Sequence, residues 1–118
     1  MPAGGIGFPH LPIGFETEER DGAVRIALSG ELDVATARSV EERLTALEAG
    51  DMPSHVILDL RGLRFIDSTG LSLLINADSR GRKAGRRVTI VAGTGPPRRI
   101  LDTTGLRSRL DIVEEPPG

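Results

Sequence analysis

Two near-identical pentapeptides in this 118-residue chain set hydroxyls beside a carboxylate and a glycine: "DSTGL" at 67–71 and "DTTGL" at 102–106. A hydroxyl so placed can attack a substrate, cap a helix, or accept a phosphoryl group from another protein. Attack requires a base within hydrogen-bond reach to take the hydroxyl proton. The chain offers only two histidines, His10 and His55. His10 falls in a Gly/Pro-rich arm, and His55 opens the apolar run "HVILDL" (55–60), whose far end leads to Ser68. At about 3.3 Å per strand residue that run sets His55 roughly 20 Å from the serine's end. Catalysis by this pair is unsupported, and the chain reads as a non-enzyme.

Other chemistries fail on residue type. "DSTG" has one residue too many for the Asp-Ser/Thr-Gly of aspartic proteases, and the chain lacks their all-β pattern. "GTGPPRR" (93–99) is glycine-rich without the Lys-Ser/Thr of a phosphate-binding loop. No ligand spacing for a metal is present, so no metal or cofactor is expected. There is no cysteine, which excludes disulfides and thiolate sites and suits a reducing compartment. Three Phe with no Trp or Tyr give no stacking platform, and a net charge of −2 argues against direct nucleic-acid binding. No apolar run approaches the roughly eighteen residues that span a bilayer. "MPAGGIGFPHLPIG" has neither a basic region nor a continuous hydrophobic stretch, so it does not read as a secretory signal. The expectation is a cytoplasmic protein with no membrane contact. Charge is uneven: residues 1–60 hold 11 acids and 4 bases, residues 61–118 hold 6 acids and 11 bases.

The elements that position the hydroxyls follow from periodicity. Residues 1–13 read as a flexible Gly/Pro-rich arm, 14–114 as one domain and 115–118 as a tail. "FETEER" and "AVRIALSG" flank Asp21-Gly22, a turn pair that accepts positive φ, and so form a hairpin. Val24, Ile26 and Leu28 alternate with Arg25, Ala27 and Ser29, which gives one buried face. "ELDVATARSVEERLTALEAG" changes to helical spacing, with Ala37, Val40, Leu44 and Leu47 on one stripe, Asp33 as N-cap and Gly50 just past the end. "HVILDL" and "RVTIVA" (87–92) read as buried strands. Between them "DSTGLSLLINADSRGRKAG" is a helix with Leu71, Leu74 and Ile75 inward. Arg80, Arg82 and Lys83 complement the dipole at its C-terminal end. "PPRRILDTTG" is a short helix opened by proline, and "SRLDIV" a final edge strand.

The two pentapeptides therefore lie at opposite helix ends. "DSTGL" opens a helix, where exposed N–H groups tolerate an anion; "DTTGL" closes one, with Gly105 just past its end. If the three central strands run parallel, one rim gathers "GELD" (30–33), "RFIDSTG" (64–70) and "GTG" (93–95).

Taken together, "LSGELDVATA", "VILDLRGLRFIDSTGLSLLI", "VTIVA" and "ILDTTGL" resemble the STAS-domain anti-sigma factor antagonists of bacteria over about residues 15–113. The resemblance implies an α/β fold: a mixed, mostly parallel sheet of four to five strands with an N-terminal hairpin, packed with three to four helices. It implies an antagonist that binds an anti-sigma factor in its unphosphorylated form and frees a sigma factor. The anti-sigma factor would also be a GHKL-type serine kinase that phosphorylates Ser68, or less readily Thr69, and a PP2C-type phosphatase would reset the protein. Partner contacts carried over by the resemblance are Glu31, Asp33, Thr36, Asp67, Ser68, Thr69 and Gly70. The alternative is a STAS accessory or scaffold subunit docking on a transporter ATPase or stress-sensing complex; serine rather than threonine at 68 favours the antagonist.

Overall fold

The computed structural model describes residues 13–117, so the expected arm lies, apart from Ile13, outside the described residues. In chain order the elements are β1 (Gly14–Arg20), β2 (Ala23–Leu32), α1 (Ala37–Glu48), β3 (His55–Ile66), α2 (Ser68–Lys83), β4 (Arg87–Val91) and α3 (Pro96–Thr103). A 3-10 turn (Leu106–Ser108) and β5 (Asp111–Val113) follow. The five strands form one sheet in chain order, β1 antiparallel to β2 and every other pair parallel. The expected hairpin forms, and Asp21 and Gly22 take φ of 54° and 80° at its turn.

Parallel strands added in one direction through right-handed crossovers put their connecting helices on one face of the sheet. There a single aliphatic core closes around Ile26 and Leu28 of β2, Val40 and Leu44 of α1, Leu58 and Leu60 of β3, Leu74 of α2, Ile90 of β4 and Leu101 of α3. The other face sets buried polar groups among the apolar Ile57 and Val91. Asp59 of β3, 3% exposed, receives Arg25 Nε at 2.9 Å and Arg61 Nη2 at 2.7 Å. Nearby, Thr89 donates to Asp111 Oδ2 at 2.9 Å, which leaves its oxygen to accept from His55 Nε2 at 2.8 Å. Burial, and then the charge of Arg87, lower the pKa of His55.

Helix α2 ends as its sequence predicts and does more than expected with its bases. Gly85 (φ 77°) closes the helix, and Arg86 N–H reaches Gly81 O at 2.8 Å. Arg80 crosses to α1, where it pairs with Glu41 at 2.6 Å and Glu48 at 2.7 Å, and Arg82 pairs with Asp78 at 3.0 Å. Arg80 thus ties the two helices together, beyond any complement to the dipole.

Three expectations change. Strand β3 runs on to Ile66 instead of stopping at Leu60, because its register against β2 shifts between Ala27/Ser29 and between Gly30/Glu31. Each shift is a β-bulge, which adds a residue and re-aims the strand. Secondly, β4 ends at Val91, opposite Asp59, so "GTG" stops short of the rim formed by β2 and β3. A side chain at Gly93 would meet Arg61, not the serine loop. Thirdly, α1 starts at Ala37 with Thr36 at its N-cap, and Asp33 closes the turn that precedes it.

Candidate functional site

The two remaining rim segments meet because β2 and β3 end together. Leu32 pairs with Ile66, and the Asp67 N–H donates to Leu32 O at 3.3 Å, so "GELD" and "IDSTG" leave the sheet side by side.

In the second segment Asp67 is the N-cap of α2. Its Oδ1 accepts the N–H of Thr69 at 2.9 Å and of Gly70 at 3.1 Å, while its carbonyl accepts that of Leu71 at 3.0 Å. Ser68 is the first helical residue, not the cap, and is exposed. Its hydroxyl is presented to solvent by a turn that Asp67 holds. Of the helix N–H groups expected to receive an anion, those of Thr69 and Gly70 are thus already engaged by the protein's own carboxylate. Thr69 is half-buried and Gly70 buried.

Gly70 acts from beneath the surface. A Cβ there would lie 2.7 Å from Ile66 Cγ1 and 2.9 Å from Leu32 Cγ, so α2 reaches the strand ends only without a side chain. Gly70→Ala is expected to cost about 1–3 kcal/mol through overpacking, read as a lowered urea midpoint at unchanged slope.

In the first segment Thr36, 6% exposed, does the positioning. Its hydroxyl donates to Glu31 O at 2.7 Å and accepts the Asp33 N–H at 3.1 Å. Asp33 Oδ1 accepts the N–H of Ala35 at 2.9 Å and of Thr36 at 3.2 Å. These bonds fold residues 33–36 into a tight turn. Glu31 is exposed and approaches Arg64 at 3.9 Å; Asp33 is half-buried. The site residues therefore divide: Glu31, Asp33, Asp67, Ser68 and Thr69 reach the surface, while Thr36 and Gly70 shape it.

Sequence reasoning missed what lies beside them. Val34, at the tip of the "GELD" turn, is 77% exposed. It lines a groove of about 320 Å³ between α1 and α2 together with Ala37, Arg38, Thr69, Ser72 and Leu73. The signal was present: Val34 is an apolar residue off the helical stripe of α1. Among the described residues no cluster of His, Cys, Asp or Glu could hold a metal ion, and no helix is long and apolar enough to cross a membrane. The second pentapeptide closes α3, where Thr103 and Thr104 bond back to the carbonyls of Arg99 and Ile100 and Gly105 takes φ of 73°.

Comparison with known proteins points the same way. A family model described as the STAS domain matches residues 14–115. An anti-sigma F factor antagonist from Paenibacillus polymyxa is 30% identical over 99 residues, covering 84% of this chain and 85% of the relative. An anti-sigma-B factor antagonist from Staphylococcus aureus is 26% identical over 104 residues, covering 88% and 95%. The crystal structure of an anti-sigma factor antagonist from Mycobacterium paratuberculosis superposes with a TM-score of 0.80 at 29% identity, covering 88% of this chain and 87% of that one.

Proposed function

This chain belongs to the STAS domain family, and from that premise we propose that it is an anti-sigma factor antagonist switched off by phosphorylation at Ser68. Unphosphorylated, it binds a cytoplasmic anti-sigma factor that is also a GHKL-type serine kinase, and so frees a sigma factor. The kinase transfers the γ-phosphoryl group of ATP to Ser68 Oγ; ADP leaves and the hydroxyl proton passes to a base of the kinase. A PP2C-type phosphatase hydrolyses the phosphoserine and restores binding.

The observation that carries this reading is the exposed Ser68, in a turn that Asp67 holds on the same rim as Glu31 and Asp33. A kinase needs such a hydroxyl at the surface, because there is little for the acceptor to supply beyond its position. The negative rim and the exposed Val34 give the partner something to recognise before and after transfer. Asp67 is committed to the helix amides, so its role is to hold the turn.

Incubation with the cognate kinase and ATP, followed by mass spectrometry, tests the reading. One phosphate on Ser68, and none in a Ser68→Ala variant that still binds the partner, is the expected result. A phosphate on Thr69 instead, or an unmodified Ser68 under conditions where the kinase is active, would overturn it.

A further inference from the structure

We propose that Arg38 is the cation that receives the phosphate on Ser68, so that phosphorylation lays an ion pair across the groove between α1 and α2. The inference rests on the reading of Ser68 as the phosphorylated residue and adds how the phosphate is held.

A phosphoserine carries about −1.5 to −2 charge at neutral pH and three strong acceptor oxygens. At the start of a helix it would ordinarily take the free amides, but those of Thr69 and Gly70 are bound to the Asp67 carboxylate. Asp67 itself adds a like charge next to it. A nearby side-chain cation is therefore the group best able to hold the phosphate, and the adjoining groove presents one. Arg38 lines one wall and Thr69, the neighbour of Ser68, lines the other. The Arg38 side chain is 90% exposed, and its contact with Glu42, itself 69% exposed, is 3.4 Å. Such an exposed pair contributes at most a few tenths of a kcal/mol, so a doubly charged phosphate displaces Glu42 readily. Glu41, the acid that lines the groove, is held by Arg80 at 2.6 Å and does not compete.

Arg64 is the rival cation. It sits four residues before Ser68 on β3, approaches Glu31 at 3.9 Å, and does not line the groove. A phosphate paired with Arg38 closes the Thr69 end of the groove, beside Val34 and the apolar Ala37 and Leu73, whereas one paired with Arg64 leaves that end open. The choice of cation decides whether the groove is covered in the inactive form.

The test uses the full chain with phosphoserine installed at position 68 during translation, which needs no kinase. Phosphorus NMR then follows the second ionisation of the phosphate, ordinarily near about 6. Pairing with Arg38 should lower it by about one unit relative to Arg38→Gln, in which the Asp67 charge acts alone. Arg64→Gln should keep the lowered value. The same ionisation in wild type and Arg38→Gln, or a change caused by Arg64→Gln alone, would overturn the proposal. Failure of Ser68 as a kinase substrate would leave this measurement standing, so the two ideas fail separately. Arg38 lines the surface that a partner would touch, which is why the readout is taken on the isolated protein.

Discussion

Phosphoserine at position 68 should weaken binding to the anti-sigma factor by about a hundredfold or more while leaving the fold intact. Binding would bury the Ser68 end of α2, and with it a group of about −2 charge next to Asp67. Taking such a charge out of water costs several kcal/mol, of which pairing with the exposed Arg38 returns only part, and about 2.7 is already a hundredfold in affinity. Any apolar contact made by Val34 and the α1–α2 groove would be lost together with it, since they adjoin the same helix start. The fold has no such conflict. Ser68 is exposed at the first helical position, and the cap belongs to Asp67, so a phosphate displaces no hydrogen bond that holds α2. With the amides of Thr69 and Gly70 engaged, the helix dipole contributes only the lower part of its usual 0.3–2 kcal/mol, and the expected change in melting midpoint is a few degrees at most. Titration calorimetry on the unmodified, phosphoserine, Ser68→Asp and Ser68→Ala proteins measures this. Ser68→Ala should bind like wild type and Ser68→Asp should weaken binding less than phosphate does. Tight binding by the phosphoserine form would sink the idea.

How much of this could be read from residues alone depended on how regular the burial was. The hairpin, the helical stripe of α1 and the central strands showed clean periods of two or near 3.6, and they stand where those periods placed them. β3 did not, beyond Leu60. Its buried residues there are Leu60, Leu63 and Ile66, a spacing of three that breaks the strand period of two. Two bulges produce that spacing, because each extra residue turns the strand half a period. A bulge depends on what pairs across the sheet, which no local pattern contains. The same long strand sets "GTG" apart from the rim and brings "GELD" to "IDSTG". At the site, the chemistry was visible in the residue types at Asp67 and Ser68. The occupancy of the helix amides was not, nor was the outward direction of Val34, since both follow from turn geometry.

The side chain at the first bulge gives the other large effect. Asp59→Asn should destabilise the protein by about 2 kcal/mol at neutral pH and by progressively less as the solution is acidified. Asp59 is 3% exposed, and desolvation by itself would raise its pKa. Hydrogen bonds from Arg61, through its side chain and its N–H, and then from Arg25 outweigh that and lower it from 3.8 to about 2. A carboxylate with a folded-state pKa below its unfolded value binds fewer protons when folded, so its contribution is complete above about pH 4. It is lost as pH falls through 4 towards 2. At about 1.4 kcal/mol per pKa unit the shift amounts to about 2 kcal/mol. Asp59→Ala should cost more, about 3 kcal/mol, because it also strips the bulge of the acceptor for the Arg61 N–H at 3.1 Å. It stays below the upper range for broken buried pairs because Arg25 and Arg61 remain 36% and 42% exposed and can turn to water. Urea denaturation of wild type and Asp59→Asn between pH 7 and pH 2 tests the sign as well as the size. The two curves should converge in acid, and a gap that stays constant would show that the carboxylate's charge is not what holds the bulge. Because that bulge aims the last residues of β3 at the start of α2, the loss should also reach Ser68. Asp59→Ala is expected to lower the rate of Ser68 phosphorylation under conditions where the variant is still folded.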